Sequence, residues 1–137
     1  MGLIKAGVCV HLLTVGQERP HLYAVLNDPF GNPPRVCLVN FSSTIKSDKT
    51  TVLKPDDPHM HPFVVKETYV MYAWAKLANA NQLEAIVDKD ISKRHHKACS
   101  PVLLGRLRKG VLESPFTTPE VLEFCKEAFA PSPNKRS

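Results

Sequence analysis

The chain has 137 residues, of which 43% are hydrophobic, and it carries a formal net charge of +5. This length predicts a single domain, and the apolar fraction argues against disorder. The twelve prolines disfavour a helical bundle, because proline interrupts helices. No apolar run approaches the roughly 18–20 residues that span a bilayer, and no signal-peptide pattern opens the chain, so a cytoplasmic protein is expected.

The first half of the chain has the pattern of short strands separated by turns. Its strand-forming runs are 7–13, 21–26, 35–41, 50–53, 63–65 and 68–75. The run 35–41 is almost continuously apolar, and 68–75 is rich in aromatic residues, with Val70, Tyr72 and Trp74 on one face of the expected strand. Short strands at this spacing predict a small β-barrel.

The second half of the chain carries two helix-start signals. Ser100-Pro101 and Thr118-Pro119 each combine an N-cap residue with proline at the first helical position. The first predicts a helix at about 101–112, and the second predicts an additional C-terminal helix within 116–130. Residues 83–91 fit a strand or a helix equally well, and 131–137 are expected to be a flexible tail.

Four cysteines are present, and their spacing excludes the usual metal motifs. They are Cys9, Cys37, Cys99 and Cys125. Because none forms a CxxC pair, free thiols in a reducing compartment are expected, with no bound metal or cofactor.

Histidines at 59 and 61 follow two acidic residues in a proline-bounded loop. Three interpretations stay open for them: metal ligands, incidental loop histidines, or a titrating His61 close to a phosphate.

Two loops carry residues suited to phosphate chemistry. Arg19 lies between two expected strands, and its five fixed donors suit phosphate recognition, although exposed loop arginines are common. Ser42, Ser43 and Thr44 follow the apolar strand directly. Their hydroxyls can bind a phosphate or stabilise a developing charge, or can serve ordinary turn chemistry.

A region rich in Lys and Arg and a run of aromatic residues are two further candidates for contact with nucleic acid. Residues 93–110 contain six Lys and Arg and no acidic residue, which indicates either a polyanion-binding surface or a solvated face. Tyr69, Tyr72 and Trp74 either stack on bases or fill the barrel core.

Three motifs occur in a fixed order within residues 2–115. Residues 16–20 read GQERP, residues 36–43 form an apolar strand that ends in two serines, and residues 68–83 combine an aromatic strand with a following turn. In order and spacing they resemble the PemK/MazF family of toxin endoribonucleases, whose patterns are Gly-x-Glu-Arg-Pro, V-x-V-x-x-I-T/S and T-I-D-x-x-R-L.

This resemblance implies a mainly β fold with α elements: an SH3-like small β-barrel over residues 1–115, usually a homodimer, with C-terminal helices. Such toxins cleave single-stranded RNA without metal, by attack of the ribose 2′-OH on the adjacent phosphate, which leaves a 2′,3′-cyclic phosphate. A cognate antitoxin protein holds them inactive.

The resemblance also assigns residue roles. The loop arginine of the family corresponds to Arg19 and its strand-end hydroxyl to Ser42, while Ser43 and Lys46 match members that combine Thr, Ser and Lys. The expected catalytic set is Arg19, Ser42, Ser43 and His61. The expected RNA-binding residues are His21, Thr44, Lys46, Lys49, Lys93, Arg94 and Lys97.

Two acidic positions of the family are not acidic in this chain. They are Ala73 and Asn79, so the proton acceptor stays open between His21 and His61. The alternative is a catalytically inactive SH3-like barrel that binds RNA or a protein partner.

Overall fold

Six strands form one antiparallel sheet in the computed structural model, which describes residues 2–13 and 19–130. The strands are β1 (Cys9–Leu12), β2 (His21–Val25), β3 (Arg35–Ser42), β4 (Val52–Leu53), β5 (Thr68–Val70) and β6 (Lys76–Asn79). The helices of the same described ranges are α1 (Ala80–Lys89), α2 (Pro101–Glu113) and α3 (Pro119–Ala128), with 3-10 helices at Tyr72–Trp74 and Ile91–Lys93. The expected combination of β structure with C-terminal helices is confirmed. The predicted loop residues 16–18 and the tail 131–137 lie outside the described residues.

The sheet branches at β3, its longest strand. β2 pairs with one edge of β3, and the other edge is shared by β6 and β5. β6 covers the first half of that edge, from Arg35 to Leu38, and β5 covers its end at Phe41 and Ser42. The end of β3 therefore lies between β2 and β5.

Both faces of the sheet are covered, which explains the continuous apolar run in β3. Successive strand residues point to opposite faces, so a strand buried on both sides has few polar positions. Cys37 and Val39 join a core formed with α2 and α3, whereas Val36 and Leu38 join a second core formed with α1. The helix α3 thus packs on the same core as α2.

Local signals set the helix starts. The Ser100 hydroxyl accepts a hydrogen bond from the Leu103 amide at 3.1 Å, and Pro101 begins α2 as predicted. Thr118-Pro119 also begins a helix, although Thr118 makes no side-chain cap bond. Residues 83–91, undecided from sequence, are mostly helical, and α1 is capped by Asn79, whose Oδ1 accepts from the Gln82 amide at 3.0 Å.

The prediction of one continuous strand over 68–75 is wrong. The strand ends at Val70, and residues 72–74 form a 3-10 helix. Tyr72 is fully buried, and its hydroxyl donates to the Leu107 carbonyl at 3.1 Å, whereas Trp74 is 51% exposed. The 3-10 helix thus places Tyr72 in the core, where its hydroxyl bonds to α2, and leaves Trp74 at the surface.

Two shorter predictions also differ from the structure. Residues 63–65 are turn and loop rather than extended strand, since the Val64 amide donates back to the His61 carbonyl at 3.0 Å. The strand expected at 50–53 is reduced to β4, at Val52–Leu53. Within residues 2–13 and 19–130, no helix combines the length and hydropathy that crossing a bilayer requires.

Candidate nucleic-acid interface

The serines predicted to bind phosphate lie at the end of β3, between two neighbouring strands. β2 and β3 pair antiparallel from Val25 opposite Leu38 to Tyr23 opposite Asn40, and His21 begins β2 two residues before the last of these pairs. Arg19 is exposed and lies two residues before β2 begins. Tyr69 of β5 pairs with Ser42 on the other side. Residues far apart in sequence are therefore brought together where β3 ends.

The Ser42 side chain organises the turn after β3. Its oxygen accepts hydrogen bonds from the amides of Thr44 at 3.2 Å and Ile45 at 2.9 Å. It also lies 3.3 Å from the Thr44 hydroxyl oxygen. A hydroxyl has two acceptor lone pairs and one hydrogen. Both lone pairs of the Ser42 oxygen accept amide hydrogens. The hydroxyl hydrogen of Ser42 is therefore the group that can be donated to Thr44 or to a ligand oxygen.

A cleft of about 240 Å³ opens beside this turn. Its lining combines hydroxyls, apolar rings and one cation, contributed by Phe41, Ser42, Ser43, Phe63, Val65, Lys66 and Thr68. Lys66 is exposed and was not predicted, because nothing in the local sequence separates it from other loop lysines. Lys46 and Lys49 are exposed on the preceding loop and do not line the cleft. A cation, hydroxyls and aromatic surface are the groups that contact a phosphate and a base.

His61 is buried behind the cleft, with 5% of its surface exposed. Its Nδ1 accepts from the Phe63 amide at 3.0 Å, so Nε2 carries the proton and donates to the Lys97 carbonyl at 2.8 Å. Burial is the main cause that lowers the pKa of His61, and the nearby charges of His96 and Lys97 lower it further. The ring is therefore neutral, and both nitrogens are engaged in holding the loop to the basic segment.

Four histidines gather around this contact and form what we call the histidine cluster: His11, His61, His95 and His96. The His95 ring centroid lies 4.5 Å from that of His61, 4.5 Å from that of His96 and 6.0 Å from that of His11. Burial lowers the pKa of His95, and the three neighbouring imidazoles lower it further. His11 was missed from the sequence because it is 84 positions from His95.

The basic segment 93–97 is fixed against β1. Arg94 forms an isolated antiparallel bridge with Val10, and the His95 amide donates to the Cys9 carbonyl at 2.8 Å. Lys97 is exposed, and its amide donates to His95 Nδ1 at 2.9 Å. The contact between His61 and Lys97 connects this segment, through Phe63, to the cleft at the end of β3.

The aromatic residues divide between core and surface. Tyr69 and Tyr72 are buried in the core, whereas Trp74 offers an exposed ring. In the part of the chain that the structure describes, no group of three or more His, Cys, Asp or Glu side chains is arranged to hold a metal ion.

Comparisons with protein-family models, curated proteins and solved structures found no match to this chain. Its function is therefore inferred from the residues and their geometry.

Proposed function

We propose that this chain is a metal-independent endoribonuclease of the PemK/MazF type, which cleaves single-stranded RNA and is held inactive by a cognate antitoxin. The observation that carries the proposal is the Ser42 turn at the end of β3, beside a cleft that contains Lys66, with exposed Arg19 two residues before the neighbouring strand β2. The branched pairing of β3 also supports an SH3-like barrel, because a strand that shares one edge between two partners curls the sheet. A homodimer belongs to the same proposal.

The proposed RNA cleavage needs only a few protein side chains, because the nucleophile belongs to the RNA. The ribose 2′-OH attacks the adjacent phosphorus, the bond to the 5′ oxygen breaks, and a 2′,3′-cyclic phosphate forms. Negative charge grows on the phosphate oxygens, and the Arg19 guanidinium together with the Ser42 hydrogen would stabilise it. Of the two candidate proton acceptors, His61 has both nitrogens engaged, which leaves His21, exposed at the start of β2.

A second candidate function is RNA or protein binding without catalysis. The commitment of Ser42 and His61 to local hydrogen bonds favours it, as does the structural use of Asn79. Asn79 occupies a position that is acidic in the family pattern and caps α1, while Ala73 has no ionisable group.

The test is incubation of the protein with single-stranded RNA in EDTA, followed by mapping of the product ends. We expect cyclic-phosphate ends from the wild type and a rate at least about 100-fold lower for Arg19→Ala. Lys126→Ala, which removes an exposed cation on α3, is the matched control and should cleave at the wild-type rate.

The outcomes separate the two candidates. Binding of RNA without cleavage by the wild type would establish the non-catalytic function, and equal rates for wild type and Arg19→Ala would refute the assigned role of Arg19. Expression gives an independent readout, since an active toxin arrests growth unless its antitoxin is co-expressed.

A further inference from the structure

Two cysteines that are distant in sequence lie side by side next to the histidine cluster. The Sγ atoms of Cys9 and Cys99 are 3.6 Å apart, and both residues are free thiols. A disulfide bond is about 2.05 Å long, so the two sulfurs need to approach by only about 1.5 Å.

The backbone around this pair is already aligned. The Cys99 amide donates to the Gly7 carbonyl at 2.8 Å, and the His95 amide donates to the Cys9 carbonyl at 2.8 Å. Hydrogen bonds on both sides of the pair hold the segment before α2 against the strand β1. Side-chain rotation, rather than a change of fold, is what must bring the sulfurs together.

The two thiols have different environments. Cys9 is 2% exposed, and its Sγ can also donate to the Gly7 carbonyl at 3.8 Å, whereas Cys99 is partly exposed. The hydrogen bond from the Cys9 thiol lowers the pKa of Cys99, while the same bond and burial raise the pKa of Cys9. The thiolate is the reactive form of cysteine, so Cys99 is the more reactive and more accessible sulfur.

We propose that Cys9 and Cys99 form an oxidation site at which hydrogen peroxide converts the two thiols into a disulfide. The Cys99 thiolate attacks one peroxide oxygen, the O–O bond breaks, and hydroxide leaves, which gives a sulfenic acid. The Cys9 sulfur then attacks the Cys99 sulfur, the S–O bond breaks, and the Cys9 proton leaves with the oxygen as water. In total two thiols lose two electrons, and one peroxide becomes two waters.

The remaining cysteines provide an internal comparison. Cys37 of β3 and Cys125 of α3 form a second pair, since each side chain shifts the pKa of the other thiol, but both are fully buried. Peroxide reaches this second pair only after the fold opens. The two cysteines are neighbours in both pairs, but only the Cys9–Cys99 pair contains a partly exposed sulfur that peroxide can reach.

The experiment is treatment of the reduced, folded full-length chain with hydrogen peroxide, alkylation of residual thiols, and non-reducing tryptic mass spectrometry. The four cysteines fall in four different tryptic peptides, so each linkage has its own mass. We expect the peptide pair joined through Cys9 and Cys99 to appear at least tenfold faster than the pair joined through Cys37 and Cys125. In urea this preference should disappear, because the unfolded chain no longer aligns the sulfurs.

Three variants test the order of steps. Cys99→Ser should leave Cys9 as a thiol, Cys9→Ser should let dimedone trap a sulfenic acid at Cys99, and Cys125→Ala should not change the rate of the Cys9–Cys99 linkage. The proposal is overturned if Cys37 and Cys125 link first in the folded protein, or if Cys99 passes to the sulfonic acid without linking to Cys9. Even where a variant fails to fold, the comparison of folded with urea-unfolded wild type tests whether the fold favours the Cys9–Cys99 linkage.

Discussion

His61 is the residue at which the cleft and the basic segment meet, because its ring nitrogens bond to Phe63 on one side and to Lys97 on the other. An unfolded histidine titrates near pH 6.5, and burial lowers the pKa of His61 in the folded chain. As the pH falls below about 6.5, the unfolded chain gains a proton that the folded ring does not accept. The stabilisation by neutral His61 is thus complete above that pH and decreases on acidification.

We therefore expect the free energy of unfolding of the wild type to fall between about pH 7.5 and about pH 5, and to fall less in His61→Gln. Urea unfolding at several pH values measures this slope. A residual slope should remain, because the pKa of His95 is lowered too. Exposed His59 supplies the control, and His59→Gln should keep the wild-type slope. Identical slopes for wild type and His61→Gln would contradict the assignment.

At the scale of elements, the approach of α2 to the sheet depends on Gly110. A Cβ at Gly110 would meet the hydroxyls of Tyr72 and Thr51, which hydrogen-bond each other at 2.8 Å. Tyr72 cannot easily move aside, because it is fully buried and donates to the Leu107 carbonyl. Gly110→Ala should therefore destabilise the protein by about 1–3 kcal/mol, as overpacking does.

Gly105 lies on the exposed side of the same helix, and a Cβ there would meet nothing within 4 Å. Because alanine is the better helix former, Gly105→Ala should stabilise the protein by about 0.5–1 kcal/mol. Thermal or urea unfolding of the two variants measures whether their changes in stability have opposite signs. If Gly110→Ala were as stable as Gly105→Ala, the close packing of α2 against Tyr72 would be refuted.

At the scale of the whole molecule, the net charge is unevenly distributed. Six Lys and Arg lie within residues 93–110, but Arg106 pairs with Asp57 at 3.1 Å and Arg108 stacks on Phe129 at 4.3 Å. These two interactions leave the segment 93–97 as the stronger candidate for binding a nucleic-acid backbone.

If the proposed RNA interface is correct, replacing Lys93, Arg94 and Lys97 by Gln should weaken RNA binding more than turnover. The slope of log affinity against log salt should decrease by about 0.7 for each phosphate that the protein no longer neutralises. Binding titrations at several salt concentrations measure both quantities. Replacing exposed Lys54, Lys109 and Lys126 by Gln removes the same charge elsewhere and should leave a larger slope. Equal slopes for the two triple variants would mean that net charge, not the segment, attracts RNA.

Much of the fold could be predicted, because its signals are local. Ser100-Pro101 begins a helix through its own cap bond, and the apolar run in β3 reflects burial on both faces. The end of the aromatic strand could not be predicted, since Tyr72 finds its partners at residues 51 and 107. At the candidate site, the sequence pointed to Arg19 and Ser42 but missed Lys66 and His11, whose neighbours come from distant segments.

Local sequence was enough to predict strands in the first half of the chain, two proline-started helices and hydroxyls directly after an apolar strand, since these depend on residues adjacent in the chain. Tertiary structure alone decided which distant groups meet. It brought the Cys9 thiol to Cys99, engaged both nitrogens of His61, and directed α1 and α2 to opposite faces of one sheet. The physical reason is that backbone preference acts between neighbours, whereas burial and hydrogen-bond satisfaction act on whichever groups the folded chain brings together.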